Sequence, residues 1–509
     1  MKKFNLKHSS IIIFIVTALF YAIGNFIWWK TNTPIIPQGI CALHFLDIFQ
    51  EGWLYSNAPL LTWIMKGNFF LFGKEYFDLE IITVNYFFFL TALYFIYKIG
   101  LELKDKETGN VAMILFALTP AVYGLSRQYG HQDWHVMIAM VVNIYCLIKL
   151  DFFEDRKWSI LYGITVGLGL LVKDEFLPYF FTPWLYVVIR SLTEKTEVKK
   201  IVNILITIAV GSLISGCHYF NNGIINKILH EPIRESVNIF ACENIKLLTL
   251  GLSAELLSPI IFLIFLSGFI WFIIKFHNKH KWCILLWIIV PWLIIMFMPH
   301  HKEPEYCIGF VPAIVLIIAL FFTDIKSKIS KTIMLFMVIL ILLLQFFDLS
   351  YKKIFLFDNL CYYNRYNLMF YEKADVSRFM ELIENLKPFK DKKIFIYNTD
   401  DYIMQQHTLL AFMVLNDLIS CSDILQADVV INNGKEKSLD ELANTDFVLS
   451  NIAYFADSDV KDTFIKEQKE KHNELKESLT DKFCPYKSWH LQNIKDDAHY
   501  VKLYIKKEI

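Results

Sequence analysis

The chain has 509 residues, of which 55% are hydrophobic and 16% aromatic, and its 50 basic side chains balance its 50 acidic ones. A water-soluble protein of this length does not need so much apolar surface, whereas helices surrounded by lipid do. The zero net charge argues against a nucleic-acid partner, so the composition predicts an integral membrane protein.

Eleven apolar segments, each a predicted membrane span, follow one another along the first 350 residues. A hydrocarbon core of about 30 Å takes about 17–25 helical residues per crossing. The predicted spans cover residues 9–29, 79–98, 110–125, 136–152, 158–172, 176–191, 199–217, 257–276, 282–298, 306–323 and 330–348. The third, fifth and sixth of these segments are short for a crossing.

Basic side chains are concentrated in alternate loops between the spans, which predicts the orientation of the chain. Loops rich in Lys and Arg stay in the cytoplasm. The basic loops contain Lys2, Lys3 and Lys7; Lys98, Lys104 and Lys106; Lys149, Arg156 and Lys157; Arg190, Lys195, Lys199 and Lys200; Lys275, Lys279 and Lys281; and Lys326, Lys328 and Lys331. We therefore expect a multi-pass protein of the cytoplasmic (inner) membrane, with its N-terminus inside, a retained first span and everything after residue 349 outside.

The loop at residues 30–78 is predicted to lie on the outer side of the membrane, and it is too apolar for a flexible linker. The spacing of its Leu, Phe and Trp side chains favours one or two amphipathic helices in the membrane interface. Pro59 is expected to begin the second of these helices, with Asn57 as its cap, because proline suits the first helical position.

Residues 350–509 hold much of the charge and are predicted to form a soluble α/β domain outside the cytoplasm. Strands and helices are expected to alternate there: helix 375–387, strand 393–397, helix 401–416, strand 428–432, helix 438–444, strand 447–450, helix 460–480 and a closing hairpin over 489–506. The predicted division is a membrane domain over 1–349, which includes the outer loop, and a second domain over 350–509.

Four clusters of ionisable residues stand at the predicted outer surface, where such side chains are costly unless they pair or function. They are His44, Asp47 and Glu51; Arg127, His131, Asp133 and His135; Lys173, Asp174 and Glu175; and His300, His301, Lys302, Glu303, Glu305 and Tyr306. One interpretation is that they only solvate helix ends. Their concentration on one side favours the other interpretation, a functional face that looks away from the cytoplasm.

These residue types suit the transfer of a group from a lipid-linked phosphate. A carboxylate removes a proton from the attacking hydroxyl, and cations stabilise the phosphate leaving group as its charge grows. The predicted catalytic residues are Asp133 and Asp47. The predicted substrate-binding residues are Arg127, His131, His44, Glu51, Lys173, His300, His301, Lys302, Glu303 and Tyr306. We expect no cofactor, and no ligand spacing indicates a metal, although the 300–305 run leaves a divalent ion as an alternative.

Four motifs resemble those of the GT-C glycosyltransferases and occur in the same order. Residues 120–133, PAVYGLSRQYGHQD, are similar to the third span and second outer loop of that family. The other three are the first-loop pattern at 57–60 and 71–73, the glycine-rich 167–173 segment, and the 301–312 loop before a late span. The resemblance covers about residues 10–325 and is strongest to the bacterial branch related to protein O-mannosyltransferases and the lipid A aminoarabinose transferase.

Two positions depart from the pattern of this family. Its first outer loop usually opens with an Asp that the family uses in catalysis, but this chain has Ile40 and Cys41 there, and Asp47 is the nearest substitute. The Arg expected in the motif before the late span is Glu305, which removes a cation from the neighbourhood of the phosphate. The base and the phosphate-binding cation have therefore moved, or the protein is catalytically degenerate.

The resemblance implies an α-helical polytopic membrane protein that acts as an inverting hexosyl or pentosyl transferase. Such an enzyme moves a sugar from a polyprenyl phosphate to an outward-facing glycan, lipid or protein acceptor, in contact with membrane lipids. The alternatives are a degenerate relative that binds a lipid-linked glycan or a partner protein, and a lipid or glycan transporter. A transporter would carry ionisable residues deep within its spans, and the predicted spans are nearly free of them.

Overall fold

The computed structural model describes residues 6–32, 59–73, 77–127, 132–194, 197–221, 242, 247–297, 304–351, 384–385, 394–397, 447–450, 483–490 and 500–507. The chain forms two compact units. One consists of residues 1–33, 54–68 and 77–370, and the other of residues 34–53, 69–76 and 371–509. The predicted division at residue 349 stays a prediction.

Helices make up almost all of the described chain before residue 352. In order they are α1 Leu6–Asn32, α2 Pro59–Phe72, α3 Phe77–Leu103, α4 Lys106–Ala117, α5 Pro120–Leu125, α6 Gln132–Lys149, α7 Arg156–Val172, α8 Phe176–Glu194, α9 Val198–Asn221, α10 Pro259–Lys275, α11 Lys281–Phe297, α12 Val311–Asp324 and α13 Lys328–Ser350. A π-helix, Leu247–Leu257, precedes α10, and a 3-10 helix, Pro304–Phe310, leads into α12. Helix α2 begins at Pro59, as predicted, while Asn57 lies outside the described residues.

Every apolar segment predicted to cross the membrane coincides with one or more helices. Within the part of the chain that the structure describes, five helices are long and apolar enough to cross a bilayer. These five are Ser9–Lys30, Ile82–Leu103, Val198–Tyr219, Tyr306–Asp324 and Lys328–Asp348. Helices α10 and α11 are apolar but shorter. A membrane protein with several spanning helices is thus confirmed, whereas the number of crossings and the orientation of the termini stay predictions.

Helices α6 and α12 lie at the centre of the helical unit. Nearly all of their residues are buried, whereas α1, α9 and α13 expose large apolar side chains along their length. Lipid solvates an exposed apolar face, and ionisable residues within the membrane are found where protein surrounds them. The enclosed position of α6 therefore accommodates Asp133, His135 and Asn143 in an otherwise apolar helix.

The segment predicted as one span over 110–125 is two helices with a break between them. Leu118 ends α4, and Thr119 precedes Pro120, the first residue of α5. Proline has no N–H, and the residue before it avoids the helical conformation, so a helix does not continue through this point. The Thr119 hydroxyl donates to the carbonyl oxygen of Leu115 at 2.7 Å.

A left-handed turn joins α6 to α7 and replaces the end of a predicted span. Asp151, Phe152 and Phe153 have φ angles of 44°, 55° and 65°, which cost about 1–2 kcal/mol each in a residue with a β-carbon. The Ser191 hydroxyl donates to the Phe152 carbonyl oxygen and the Asn203 amide to that of Phe153, each at 2.7 Å. These bonds hold the turn, so that α6 and α7 form an antiparallel pair.

A four-stranded sheet is described in the C-terminal part of the chain. Its strands are β1 Ile394–Tyr397, β2 Phe447–Ser450, β3 Phe483–His490 and β4 Tyr500–Lys506, in the order β1-β2-β4-β3. Strands β1 and β2 are parallel, and the other two pairs are antiparallel. The first two strands lie where the sequence predicted strands. The predicted strand 428–432 and most residues of the predicted helices lie outside the described residues, so the α/β class of this region stays a prediction.

Candidate functional site

An ion cluster joins the first turn of α6 to the turn between α7 and α8. The Lys173 Nζ atom lies 3.0 Å and 3.1 Å from the two carboxylate oxygens of Asp133 and 3.2 Å from Glu175 Oε1. The side chains of Asp133 and Lys173 are only 10% and 16% exposed. A lysine ammonium has three N–H donors, and here three carboxylate oxygens lie within reach of them.

Small residues in α7 determine where Lys173 lies. A β-carbon at Gly163 would come within 2.7 Å of the Thr207 carbonyl oxygen, so the backbones of α7 and α9 pack directly on each other. A β-carbon at Gly169 would overlap the ring of Phe176. Only glycine lets this ring fold back onto α7, which places the 173–175 turn beside the start of α6.

The turn itself is tied to a second helix. The Tyr219 hydroxyl, near the end of α9, lies 3.1 Å from Asp174 Oδ1 and 3.2 Å from the Leu170 carbonyl oxygen. Asp174 thus bonds to α9, while Lys173 contacts Asp133 and Glu175 contacts Lys173. The three adjacent charged residues have different partners, which the linear sequence does not show.

Tyr306 covers the ammonium group from another direction. Its ring centroid lies 5.2 Å from Lys173 Nζ, within the range of a cation–π contact. The Tyr179 hydroxyl of α8 donates to the Tyr306 carbonyl oxygen, and the Tyr179 ring packs where a β-carbon at Gly309 would stand. The 3-10 helix that carries Tyr306 is therefore fixed against α8.

The charges of the cluster stabilise one another. Burial alone would lower the pKa of Lys173, but the carboxylates of Asp133 and Glu175 raise it above its ordinary value. Burial raises the pKa of Glu175, and the nearby Lys173 opposes that effect only in part. Lys173 therefore stays protonated, and Glu175 is the carboxyl group that takes up a proton more readily than an exposed one.

Arg127 occupies a separate, buried site among aromatic rings. Its guanidinium carbon lies 5.3 Å from the ring centroids of Trp28, Tyr123 and Phe346, and its Nε donates to Asn25 Oδ1 at 2.8 Å. Burial lowers the pKa of Arg127, yet arginine keeps its charge in proteins. Among the described residues no carboxylate pairs with this charge.

The two residues that flank the 128–131 segment each carry a buried donor without a hydrogen-bond partner among the described residues. One Nη atom of Arg127 and the Nε2 atom of Gln132 have no hydrogen-bond acceptor among the described residues. They lie on opposite sides of residues 128–131 in the chain, and both side chains are almost fully buried. Buried donors are nearly always satisfied, so these two N–H groups point to an anionic or polar ligand.

The structure brings together three predicted site residues from three motifs: Asp133, Lys173 and Tyr306. Arg127 lies in its aromatic surroundings at the other side of the 128–131 loop. The remaining predicted site residues lie outside the described residues; they are Asp47, His44, Glu51, His131, His300, His301, Lys302 and Glu303. Glu175 belonged to one of the four candidate clusters but was assigned no role, and Gln132 was not predicted to act, although it directly precedes Asp133.

No group of three His, Cys, Asp or Glu side chains suited to a metal ion occurs in the part of the chain that the structure describes. The Asp133–Lys173–Glu175 cluster offers two carboxylates, and both already contact an ammonium group. A reaction without a cofactor or metal stays a prediction.

A segment within the first half of the chain matches the model of a known family. Residues 56–215, about a third of the chain, match the family model of dolichyl-phosphate-mannose-protein mannosyltransferases. This range contains Arg127, Asp133 and Lys173. No curated protein matches the sequence.

Solved structures share the fold over nearly the whole chain. One is ArnT from Cupriavidus metallidurans bound to undecaprenyl phosphate, with a TM-score of 0.61, 11% identity and 97% coverage of both chains. Another is the oligosaccharyltransferase AglB from Archaeoglobus fulgidus, in complex with an inhibitory peptide and a dolichol-phosphate, with a TM-score of 0.57, 10% identity and coverage of 99% of this chain and 77% of that one. At such identities the likeness concerns the fold and not the roles of residues. The resemblance seen in the motifs is thereby confirmed: this chain is a multi-pass membrane protein with the GT-C glycosyltransferase fold.

Proposed function

We propose that the protein is an inverting glycosyltransferase of the cytoplasmic membrane. It takes a hexosyl or pentosyl group from a polyprenyl phosphate and places it on a hydroxyl of an outward-facing glycan, lipid or protein. The observation that carries this proposal is the buried Asp133 carboxylate, which is paired with Lys173. The chain shares its fold with ArnT, whose structure has undecaprenyl phosphate bound.

Asp133 is the base of the proposed reaction. The acceptor oxygen attacks the anomeric carbon, its proton passes to the Asp133 carboxylate, and the bond between that carbon and the phosphate oxygen breaks. The phosphate oxygen leaves with the electron pair as polyprenyl phosphate. One displacement of this kind inverts the anomeric centre.

Lys173 holds the base and does not bind the phosphate. Its three donors face three carboxylate oxygens of Asp133 and Glu175, so none is left for a phosphate oxygen. Two carboxylates around one ammonium would also repel a phosphate. This assigns Lys173 a role different from the substrate contact that the sequence suggested.

Arg127 and Gln132 are the better candidates for the phosphate. Both carry buried N–H groups without an acceptor among the described residues, and Arg127 adds a charge that no described carboxylate balances. A hydrogen bond between ionised groups is shorter and stronger than a neutral one, and a guanidinium suits phosphate oxygens. The lipid phosphate would thus be held by the two side chains that flank residues 128–131, and one of them, Gln132, directly precedes the base Asp133 in the chain.

The test is turnover of polyprenyl-phosphate sugars by the purified protein in nanodiscs, followed as release of polyprenyl phosphate. Asp133→Asn should keep normal expression and lower turnover by about 100-fold or more, the scale of losing a general base. The matched control is Asp105→Asn, because Asp105 caps α4 through the Thr108 N–H at 2.8 Å and lies in a predicted cytoplasmic loop. Asparagine caps a helix about as well as aspartate, so this variant should keep both stability and turnover near those of the wild type.

The outcomes separate the rival functions. If the wild type binds undecaprenyl phosphate but never turns over any sugar donor, the protein is a degenerate lipid-glycan binder, as the residues at 40–41 first suggested. If it moves the lipid across a vesicle membrane without cleaving the phosphate linkage, it is a transporter. If Asp133→Asn retains near wild-type turnover, the carboxylate is structural and the base lies elsewhere.

A further inference from the structure

Asn85 of α3 contacts both ends of the segment that contains the proposed site. Its Nδ2 atom donates to the carbonyl oxygen of Ser126 at 2.8 Å, and its Oδ1 atom lies 3.2 Å from Nε2 of His135. Ser126 immediately precedes Arg127, and His135 follows Asp133 by two residues. The Asn85 side chain is 4% exposed, so water does not replace these contacts easily.

The chemistry of the partners fixes the orientation of the Asn85 amide. A carbonyl oxygen only accepts, so the amide nitrogen must face Ser126. The amide oxygen then faces His135, and Nε2 of that imidazole must carry a proton. His135 is further held edge-on against the rings of Phe88 and Trp134, with centroids 4.9 Å and 5.1 Å away. One side chain therefore sets both the tautomer and the position of an imidazole in the first turn of α6.

The Ser126 end is equally well held. The Tyr21 hydroxyl of α1 donates to Ser126 Oγ, which donates in turn to the Tyr123 carbonyl oxygen at 2.8 Å. With Asn85, three elements (α1, α3 and α5) bond to this one residue. The backbone that leads into Arg127 is thus fixed by hydrogen bonds on the side chain and on the carbonyl group of Ser126.

We propose that Asn85 is a positioning residue, which holds the phosphate-binding side at Arg127 in register with the base at Asp133. It touches neither the phosphate nor the reacting atoms, and it acts through Ser126 and His135. The inference rests on the proposed glycosyl transfer. The alternative is a purely structural role, in which Asn85 only stabilises the packing of α3 against α5 and α6.

Two variants remove the contacts to different extents. Asn85→Leu loses both bonds, whereas Asn85→Asp keeps the acceptor for His135 and places a carboxylate oxygen against the Ser126 carbonyl. Because a small displacement of catalytic groups costs up to about 100-fold, we expect Asn85→Leu to lower kcat/KM by about 10–100-fold per folded molecule and Asn85→Asp to lower it less. The matched control is Asn278→Leu at the predicted cytoplasmic end, where the amide also donates to a backbone carbonyl oxygen of α3, that of Leu103, at 2.9 Å.

Double variants distinguish positioning from stability. If Asn85 acts by placing Asp133, Asn85→Leu should lower kcat in the wild type but not in the Asp133→Asn background, whereas the control should have the same effect in both. If Asn85 also places Arg127, Asn85→Leu should raise the donor KM in the wild type but not in the Arg127→Met background. Full additivity in both cycles, or wild-type kinetics for Asn85→Leu, would overturn the inference.

The proposed function and this inference fail in different ways. Absence of turnover in the wild type overturns the glycosyltransferase, and the role of Asn85 is then judged by binding of undecaprenyl phosphate alone. Weaker binding in Asn85→Leu and Asn85→Asp than in Asn278→Leu supports the link to Arg127. Unchanged binding overturns it. Should Asn85→Leu fail to fold, the milder Asn85→Asp carries the same comparisons.

Discussion

Lys173 is a buried cation whose removal exposes two carboxylates to each other. Asp133 and Glu175 both contact its ammonium group; the Asp133 side chain is almost fully buried, whereas that of Glu175 is about one-third exposed. Breaking a buried ion pair by deleting one partner costs about 3–5 kcal/mol, because the remaining charge stays buried without compensation. The free energy of unfolding should therefore depend on Lys173 and on the protonation of its partners.

Lys173→Met keeps the apolar stem and removes the charge, and its effect should grow with pH. Burial raises the pKa of Glu175, so this group favours the folded protein below the ordinary carboxyl pKa of about 4 and loses that contribution as the pH rises through its raised pKa. Without Lys173 the pKa rises further and the loss extends to higher pH. Thermal unfolding in detergent should show a larger deficit, relative to wild type, at pH 8 than at pH 5.

Lys104→Met is the control for this experiment. Lys104 pairs with Asp324 at 3.3 Å, but the two side chains are 27% and 49% exposed. An exposed pair contributes about 0–1 kcal/mol, so this variant should differ little from wild type at either pH. Equal deficits of Lys173→Met at both pH values would contradict the assignment of Lys173 to the carboxylates.

Arg127→Met should weaken binding of the donor more than it slows the chemical step. A hydrogen bond to a charged group contributes about 1.5–3 kcal/mol, which corresponds to a donor KM about 10–100-fold higher. Arg190→Met serves as the control, because this arginine also lies over an aromatic ring (Phe152, 4.8 Å) but bonds to Glu194. Steady-state kinetics with a polyprenyl-phosphate sugar measure both. A fall in kcat with unchanged KM would place the phosphate away from Arg127.

Among the helices, α7 has glycines at positions where a β-carbon would clash, whereas Gly67 of α2 has open space around it. Gly169→Ala should displace the Phe176 ring and with it the Lys173 turn, so we expect lower thermal stability and a loss of turnover. Gly67→Ala in α2 meets no atom within 4 Å and should raise helix stability by up to about 1 kcal/mol. Unfolding temperatures and turnover of both variants check this contrast. A neutral Gly169→Ala would show that Phe176 does not set the turn.

The sequence predicts the helices well because their apolar runs are long, and it predicts the start of α2 because Pro59 suits a first helical position. It does not predict the turn at 151–153, since Asp tolerates positive φ but the two Phe residues that follow it do not favour that conformation. Tertiary bonds from Ser191 and Asn203 hold that conformation. Pro120 indicates the break at Thr119, but the continuous apolar run over residues 110–125 favours a single span.

For the whole molecule, the basic loops predict on which side of the membrane each part of the chain lies. If everything after residue 349 lies outside, a membrane-impermeant thiol reagent should label Cys421 or Cys484 in intact spheroplasts. The control is Ser327→Cys, an exposed position in a predicted cytoplasmic loop, which should react only after lysis. Labelling in the opposite order would reverse the predicted orientation of the chain.

The candidate site could be predicted only in part. Asp133 and Lys173 were predicted because ionisable residues cluster at the predicted outer surface, and Tyr306 because it ends the charged cluster before the tenth predicted span; each lies in a separate motif. That three carboxylate oxygens occupy the three donors of Lys173 depends on distances between helices, which no local pattern encodes. The sequence does not identify Asn85 as a site residue, because a single asparagine within an apolar helix resembles any buried polar residue.

The lengths of the antiparallel helices α6 and α7 determine whether the charged residues of the ion cluster meet. Asp133 stands at the start of an 18-residue helix and Lys173 just after the end of a 17-residue one, with the left-handed turn at the far end. Each helical residue contributes about 1.5 Å of length and about 100° of rotation. One residue inserted into either helix would therefore turn its charged side chain away from its partner. Relatives that use this cluster can vary in side chains along both helices, but an insertion or deletion in one helix must be matched in the other.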